Sequence, residues 1–191
     1  MERDILAKVF VNYRRKDTAG YAGRMYDRLK AVLGPKNVFF DINSILHGED
    51  YRVRIHNSIA ECDVVLAVIG ASWLELHTDT GEPRIQAKDD FVRLEIEKAF
   101  ELQKKVIPIL IDGAEMPSIE ALPDSINKLA NKNAFMLSHI NWDRDIAELV
   151  GELGGDIHQE MMESPWPGLE SYDERNAHQF FGRSAEIREA V

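Results

Sequence analysis

The sequence predicts a doubly wound α/β domain, a parallel sheet of five strands covered by helices on both faces. Two observations carry this expectation. Short apolar runs alternate with helical patterns along residues 5 to about 153, which is how strand–helix–strand units read in a sequence. One run, Asp63–Ile69 (DVVLAVI), is too apolar for a strand with one wet face and belongs in the middle of such a sheet.

The elements follow in order. Lys8–Tyr13 (KVFVNY) reads as a buried strand, and Thr18–Leu33 as an amphipathic helix stopped by Gly34-Pro35. Asn37–Asp41 (NVFFD) is a second, short strand, and the loop NSILHG leads into a helix from about Glu49 to Ala60. Asp63–Ile69 is the third strand. A long polar segment, Trp73–Lys88, precedes a helix over Asp89–Gln103. Val106–Ile111 and the short Ala134–Leu137 complete the sheet. A final helix begins near an Asn141 cap and stops at Gly154-Gly155. Ligands of such sheets sit beyond the carboxyl ends of the strands, near the switch in strand order. The chemistry is therefore expected in the loops after Tyr13, Asp41 and Ile69.

A chain of 191 residues, 45% apolar and 29% charged, has room for one ordinary domain with a real core plus an appendage. MERDILAKVF lacks the apolar core of a signal peptide. The longest apolar runs, Val64–Ile69 and Val106–Ile111, are too short to span a membrane. A cytoplasmic location without membrane partners is expected. The single cysteine, Cys62, excludes an internal disulfide, fits a reducing compartment and belongs in the core at the head of a strand. The net charge of −10 argues against general nucleic-acid binding. Charge is uneven, however: Lys8–Lys36 holds eight Lys or Arg against two Asp, and Trp142–Val191 twelve acids against four bases. The basic region either receives an anionic ligand or is a solvated helix face.

The helix Asp89–Gln103 holds the most informative side chain. At about 100° per residue, Phe91, Val92, Ile96, Ala99, Leu102 and Gln103 fill one arc, and Arg93, Glu97 and Glu101 face solvent opposite. Glu95 falls inside the apolar arc, one turn after Phe91. A carboxylate there faces a cleft, pairs with a base, or is desolvated. Otherwise it lies at the rim of the stripe, or is bound to Arg14 or Arg15. Tyr13-Arg14-Arg15 ends the first strand at the ligand edge, and guanidinium groups suit phosphate oxygens. One of the two arginines can hold a ligand while the other pairs with an acid. Asp41 ends the second strand on the same edge, where it caps the next loop or meets a ligand.

Other chemistries lack their signatures. There is no GxxxxGK[ST] and no GxGxxG after the first strand. The third strand ends Val68-Ile69-Gly70 without an acid and the first ends in Tyr-Arg-Arg, which excludes a phosphoacceptor receiver. The six histidines (47, 56, 77, 139, 158 and 178) show no metal-ligand spacing.

Four blocks, KVFVNYRRKDTAGYAGRMYDRL, NVFFDINSILHGEDY, CDVVLAVIGASWL and DDFVRLEIEKAF, together resemble a bacterial TIR domain across residues 5–153. The resemblance implies a flavodoxin-like fold and, as in many bacterial members, cleavage of NAD⁺ to nicotinamide and linear or cyclic ADP-ribose. NAD⁺ is then a substrate, and no cofactor is implied. The family's catalytic glutamate follows an aromatic residue by four positions, here Phe91 and Glu95. By the same resemblance Tyr13, Arg14, Arg15, Asp41 and the 43–50 loop with Leu46 line the nucleotide pocket. The chain departs from the family in having Phe91 where Trp is frequent, and Ile45-Leu46-His47-Gly48 where Pro-Gly is common.

Residues 154–168 read as a linker because Ser164-Pro165-Trp166-Pro167-Gly168 breaks any helix. Residues 169–191 resemble the leading segment of STAND-type signalling ATPases, which implies an ATPase and sensor in cis and a role in immunity against phage. A non-catalytic TIR that signals by TIR–TIR contact is the main alternative. A nucleoside deoxyribosyltransferase-like enzyme using the glutamate as nucleophile is a third.

Ile45 and Leu46 lie in a loop with no predicted strand or helix to bury them, which suggests a self-association surface. Specific activity on NAD⁺ is expected to climb with protein concentration or on fusion to an oligomer, and Ile45→Asp or Leu46→Asp to blunt the climb. A dilution series of nicotinamide release checks this, and constant specific activity would contradict it.

Overall fold

A computed structural model describes residues 7–40 and 51–155. Strands β1 (Val9–Tyr13), β2 (Val38–Phe40), β3 (Val64–Ile69), β4 (Lys105–Ile111) and β5 (Phe135–Leu137) form one parallel sheet in the order β2-β1-β3-β4-β5. The chain alternates these with helices α1 (Arg15–Leu33), α2 (Tyr51–Glu61), α3 (Phe91–Glu101) and α4 (Trp142–Glu152). This is the five-stranded α/β fold expected from the sequence. The predicted elements Asp41, Leu46 and the rest of the 43–50 loop lie outside the described residues, as do the tail 169–191 and the linker beyond Gly155.

Alternation along the strands sends side chains to two cores. Phe10 of β1, Val65, Ala67 and Ile69 of β3, and Val106 and Leu110 of β4 pack with Ile55 and Ile59 of α2 and Val92, Ile96 and Ala99 of α3. On the other face Ala22, Met25 and Leu29 of α1 and Ile146, Leu149 and Val150 of α4 are buried. All six residues of β3 are buried, as the unbroken apolar run requires of a strand paired on both sides. The neighbours of β1 are β2 on one side and β3 on the other, so strand order switches at the carboxyl ends of β1 and β3.

Three local expectations change. Helix α1 begins at Arg15, three residues before the predicted start, because the Arg14 carbonyl accepts from both Asp17 N and Thr18 N; the helix kinks at Thr18 (φ −124°, ψ 18°) before running regularly. It ends as predicted at Gly34, whose φ of 87° a side chain would resist. The segment Trp73–Lys88 is not simply a polar excursion: Trp73, Ile85 and Ala87 are buried, and a 3₁₀ turn at Arg84–Gln86 seats Ile85 in the α2–α3 core. Asn141 precedes α4, but its side chain makes no capping bond. Cys62 lies in the core, and burial pushes its thiol up to about 12, so it is no nucleophile at neutral pH.

Helix α1 is tied to the end of β3 by one carboxylate. Asp17 accepts from Gly70 N (2.9 Å) and Ser72 N (3.0 Å). A Cβ on Gly70 would lie 2.6 Å from both Asp17 Oδ1 and Thr18 Cγ2, and neither can yield without breaking this tie or displacing the buried Thr18. Gly70→Ala is expected to lower stability by about 1–3 kcal/mol, read as a lower urea midpoint with unchanged slope. An unaltered midpoint would show that the closure of α1 on β3 tolerates a side chain.

Candidate active site

The carboxyl end of β1 carries Asn12, Tyr13, Arg14 and Arg15 to the switch point, with α3 crossing from the far side. Asn12 is fully buried and shares with Phe10 the face that α3 covers. Its Nδ2 donates to the Val92 carbonyl (3.1 Å) and to Glu95 Oε2 (2.6 Å). Both partners accept, so the orientation of the amide is determined: turned over, it would set Oδ1 against the Val92 carbonyl. Oδ1 is buried without a hydrogen-bond partner, a cost of about 1–3 kcal/mol.

Glu95 is half-buried at the edge of the α3 stripe. The apolar arc predicted around it is narrower than expected: Val92, Ile96 and Ala99 are buried, whereas Phe91 is 43% exposed. Phe91 is the first residue of the helix. The opposite side is not a free solvent face either. Arg93 donates to the Gln86 carbonyl (2.6 Å), and Glu97 accepts from Arg93 Nε (2.7 Å) and Ser125 Oγ (2.5 Å). Gln86 belongs to the 3₁₀ turn before α3, and Ser125 to the segment after β4 that folds back through the 3₁₀ turns Ile119–Ala121 and Asn127–Asn131; helical periodicity reveals only the Arg93–Glu97 pair within α3. Glu101 does face solvent, paired with Lys98.

Arg14 is 6% exposed and makes a bidentate ion pair with Asp90, Nη1 to Oδ2 at 2.8 Å and Nη2 to Oδ1 at 3.0 Å. Asp90, 2% exposed, also accepts from Arg84 Nε (3.2 Å) and from Arg93 N (3.0 Å), the latter capping α3. The Arg14 guanidinium lies 5.8 Å from the centre of the Trp73 ring. Its terminal nitrogens thus hold α3 against β1. Arg15, by contrast, is exposed at the first residue of α1. Tyr13 points to the other sheet face, stacked on Phe40 at 4.9 Å and 3°, and Phe40 stacks on Tyr26 at 4.7 Å. Strand alternation therefore separates Tyr13 from Asn12 and Glu95 across the sheet, while Arg14 joins them through α3. Asp41 and Leu46, the remaining predicted pocket residues, lie outside the described ones.

Sequence reasoning passed over Asn12 and Asp90. Asn12 was legible as a polar residue inside the apolar run VFVNY. Asp90 was legible only as a capping acid before a helix; its two arginine partners come from tertiary structure. No group of three or more His, Cys, Asp or Glu among the described residues is placed to hold a metal ion, and no described helix is long and apolar enough to cross a membrane.

A flavodoxin-like α/β domain with a carboxylate held beside its switch point is the class these features define. The family profile described as "TIR domain" matches residues 9–150, and the chain belongs to that family. It is 26% identical over 152 residues to the NAD(+) hydrolase tir-1 of Caenorhabditis elegans, an alignment that covers 79% of this chain and 15% of that protein. The TIR domains in the structure of the activated Roq1 resistosome recognising the effector XopQ share the fold, with a TM-score of 0.56 at 13% identity, covering 77% of this chain and 99% of that one.

The two adjacent arginines are expected to behave differently. Removing one partner of a buried ion pair leaves the other charge stranded, at about 3–5 kcal/mol. Arg14→Ala should therefore melt well below the parent, whereas Arg15→Ala should melt close to it. Equal melting temperatures in differential scanning calorimetry would remove the Arg14–Asp90 pair from its structural role.

Proposed function

We propose that this domain hydrolyses NAD⁺ at the bond between ribose C1′ and nicotinamide, with Glu95 as the catalytic carboxylate. The observation that carries the reading is Glu95 itself, an acid held at 2.6 Å by a buried amide beside the strand-order switch of a TIR-family chain. The similarity to a protein named as an NAD(+) hydrolase supports it at the level of the family. The chemistry fits a site with one carboxylate. Nicotinamide departs neutral from a cationic glycoside, so the leaving group needs no general acid, unlike ordinary glycosides with their acid–base pair. Glu95 would hold the ribose hydroxyls and stabilise positive charge developing at C1′. Water adds there, giving ADP-ribose, nicotinamide and a proton; attack by a ring nitrogen of the adenine would give the cyclic product instead. Arg15 supplies a cation for the pyrophosphate, and Phe91 an exposed ring for stacking.

The tail supports a further part of the reading, in which this domain is the effector of a larger bacterial immune protein switched on by oligomerisation in the cytoplasm. Self-association gains support from the structural neighbour, whose TIR domains belong to an activated resistosome, and from Ile140, which is 92% exposed. The same two observations favour the alternative, a TIR that signals by contact alone.

Incubation with NAD⁺ and chromatography of nicotinamide decides between them. Glu95→Gln is expected to lower kcat by at least about a hundredfold, while Glu101→Gln, on the solvent face, stays within about twofold of the parent. Arg15→Ala should raise KM more than it lowers kcat, since a contact remote from C1′ binds ground and transition states alike. Glu95→Gln with parental activity would remove the residue from catalysis. A folded chain that releases no nicotinamide even when clustered would leave the contact-only reading.

A further inference from the structure

Asn12 is satisfied at one end only. Its Nδ2 makes two hydrogen bonds to α3, and its Oδ1 is buried without a partner. It stands on the sheet face where Phe10, Val92 and Ile96 form an apolar cluster. For stability alone a leucine of similar size would serve at least as well, because it removes an unmatched acceptor and adds apolar surface to the cluster. A leucine cannot donate to Glu95.

We infer that Asn12 is a positioning residue for the reacting carboxylate, kept for its two N–H groups at the expense of fold stability. The inference rests on the reading that Glu95 acts on NAD⁺. A glutamate has three rotatable side-chain bonds, and a misplacement of about 1 Å at a reacting group costs about a hundredfold in rate. Hydrogen bonds to carboxylates are short and directional, and this one measures 2.6 Å. The donor is itself well referenced. Asn12 pairs with Ala67 in β3, so the central sheet sets its backbone. Its second N–H goes to Val92, one turn before Glu95 on the same helix, so the helix that carries the carboxylate also sets the plane of the amide. Sheet and helix together determine where Glu95 Oε2 lies, on elements that do not move with a loop.

The test uses the 191-residue chain, Asn12→Leu, Asn12→Ser and Glu95→Gln, reading the thermal midpoint by circular dichroism and kcat and KM from nicotinamide release. Asn12→Leu is expected to melt at or above the parental midpoint, with kcat reduced at least about tenfold and KM within about threefold of the parent. Asn12→Ser, which keeps a short donor at the same strand position, should recover part of kcat without recovering the gain in melting temperature. Activity falling as stability holds or rises is the signature a purely structural amide would not give. Asn12→Leu that turns over at the parental rate overturns the inference. So does a steep loss of the folded state in both Asn12 variants, which would make the amide a structural tie. A parent chain that cleaves no NAD⁺, or Glu95→Gln at the parental rate, overturns the reading of Glu95 and the inference with it.

Discussion

The carboxylate of Asp90 is the interaction on which the rest of the site depends. It accepts from both terminal nitrogens of Arg14, from Arg84 and from the first-turn amide of Arg93, and so joins the end of β1, the turn before α3 and α3 itself. An acid 2% exposed is tolerable only because its charge is neutralised and its lone pairs are used. The geometry that satisfies Asp90 also sets the depth at which α3 lies on the sheet. In that arrangement Asn12 reaches both the Val92 carbonyl and Glu95.

A second acid closes the other side of the switch point. Asp17 takes the amides of Gly70 and Ser72, so the loop after β3 is anchored to the first turn of α1. The two ties use the same chemistry, a carboxylate filling backbone donors that the sheet edge and a helix start would otherwise leave unmet. They differ in charge balance. Asp90 is matched by the guanidinium groups of Arg14 and Arg84, whereas Asp17 meets the backbone amides of Gly70 and Ser72.

Polar groups inside the apolar face of α3 carry the functional argument. Val92, Ile96 and Ala99 bury the helix, and Glu95 stands at the rim of that stripe with its position set by Asn12. The unmatched Oδ1 of Asn12 marks a place where the fold is less stable than its packing permits, which is where function is commonly found.

The alternation of apolar runs and helical periodicity determined the five strands, the helices and their order, because burial on both faces of a parallel sheet leaves a pattern within each segment. Gly34 as a helix stop and Glu95 as an acid out of place among apolar neighbours were legible for the same local reason. Tertiary structure alone decided what the side chains meet. Phe91 proved exposed, Arg93 and Glu97 proved joined to Ser125, and Arg14 proved paired with Asp90; these last contacts depend on residues tens of positions away that no periodicity encodes. Asn12 was visible as a polar residue in a strand, but its partner on α3 is 83 positions on. Sequence specifies which faces seek burial; the packing of β1 against α3 decides which polar groups are caught between them.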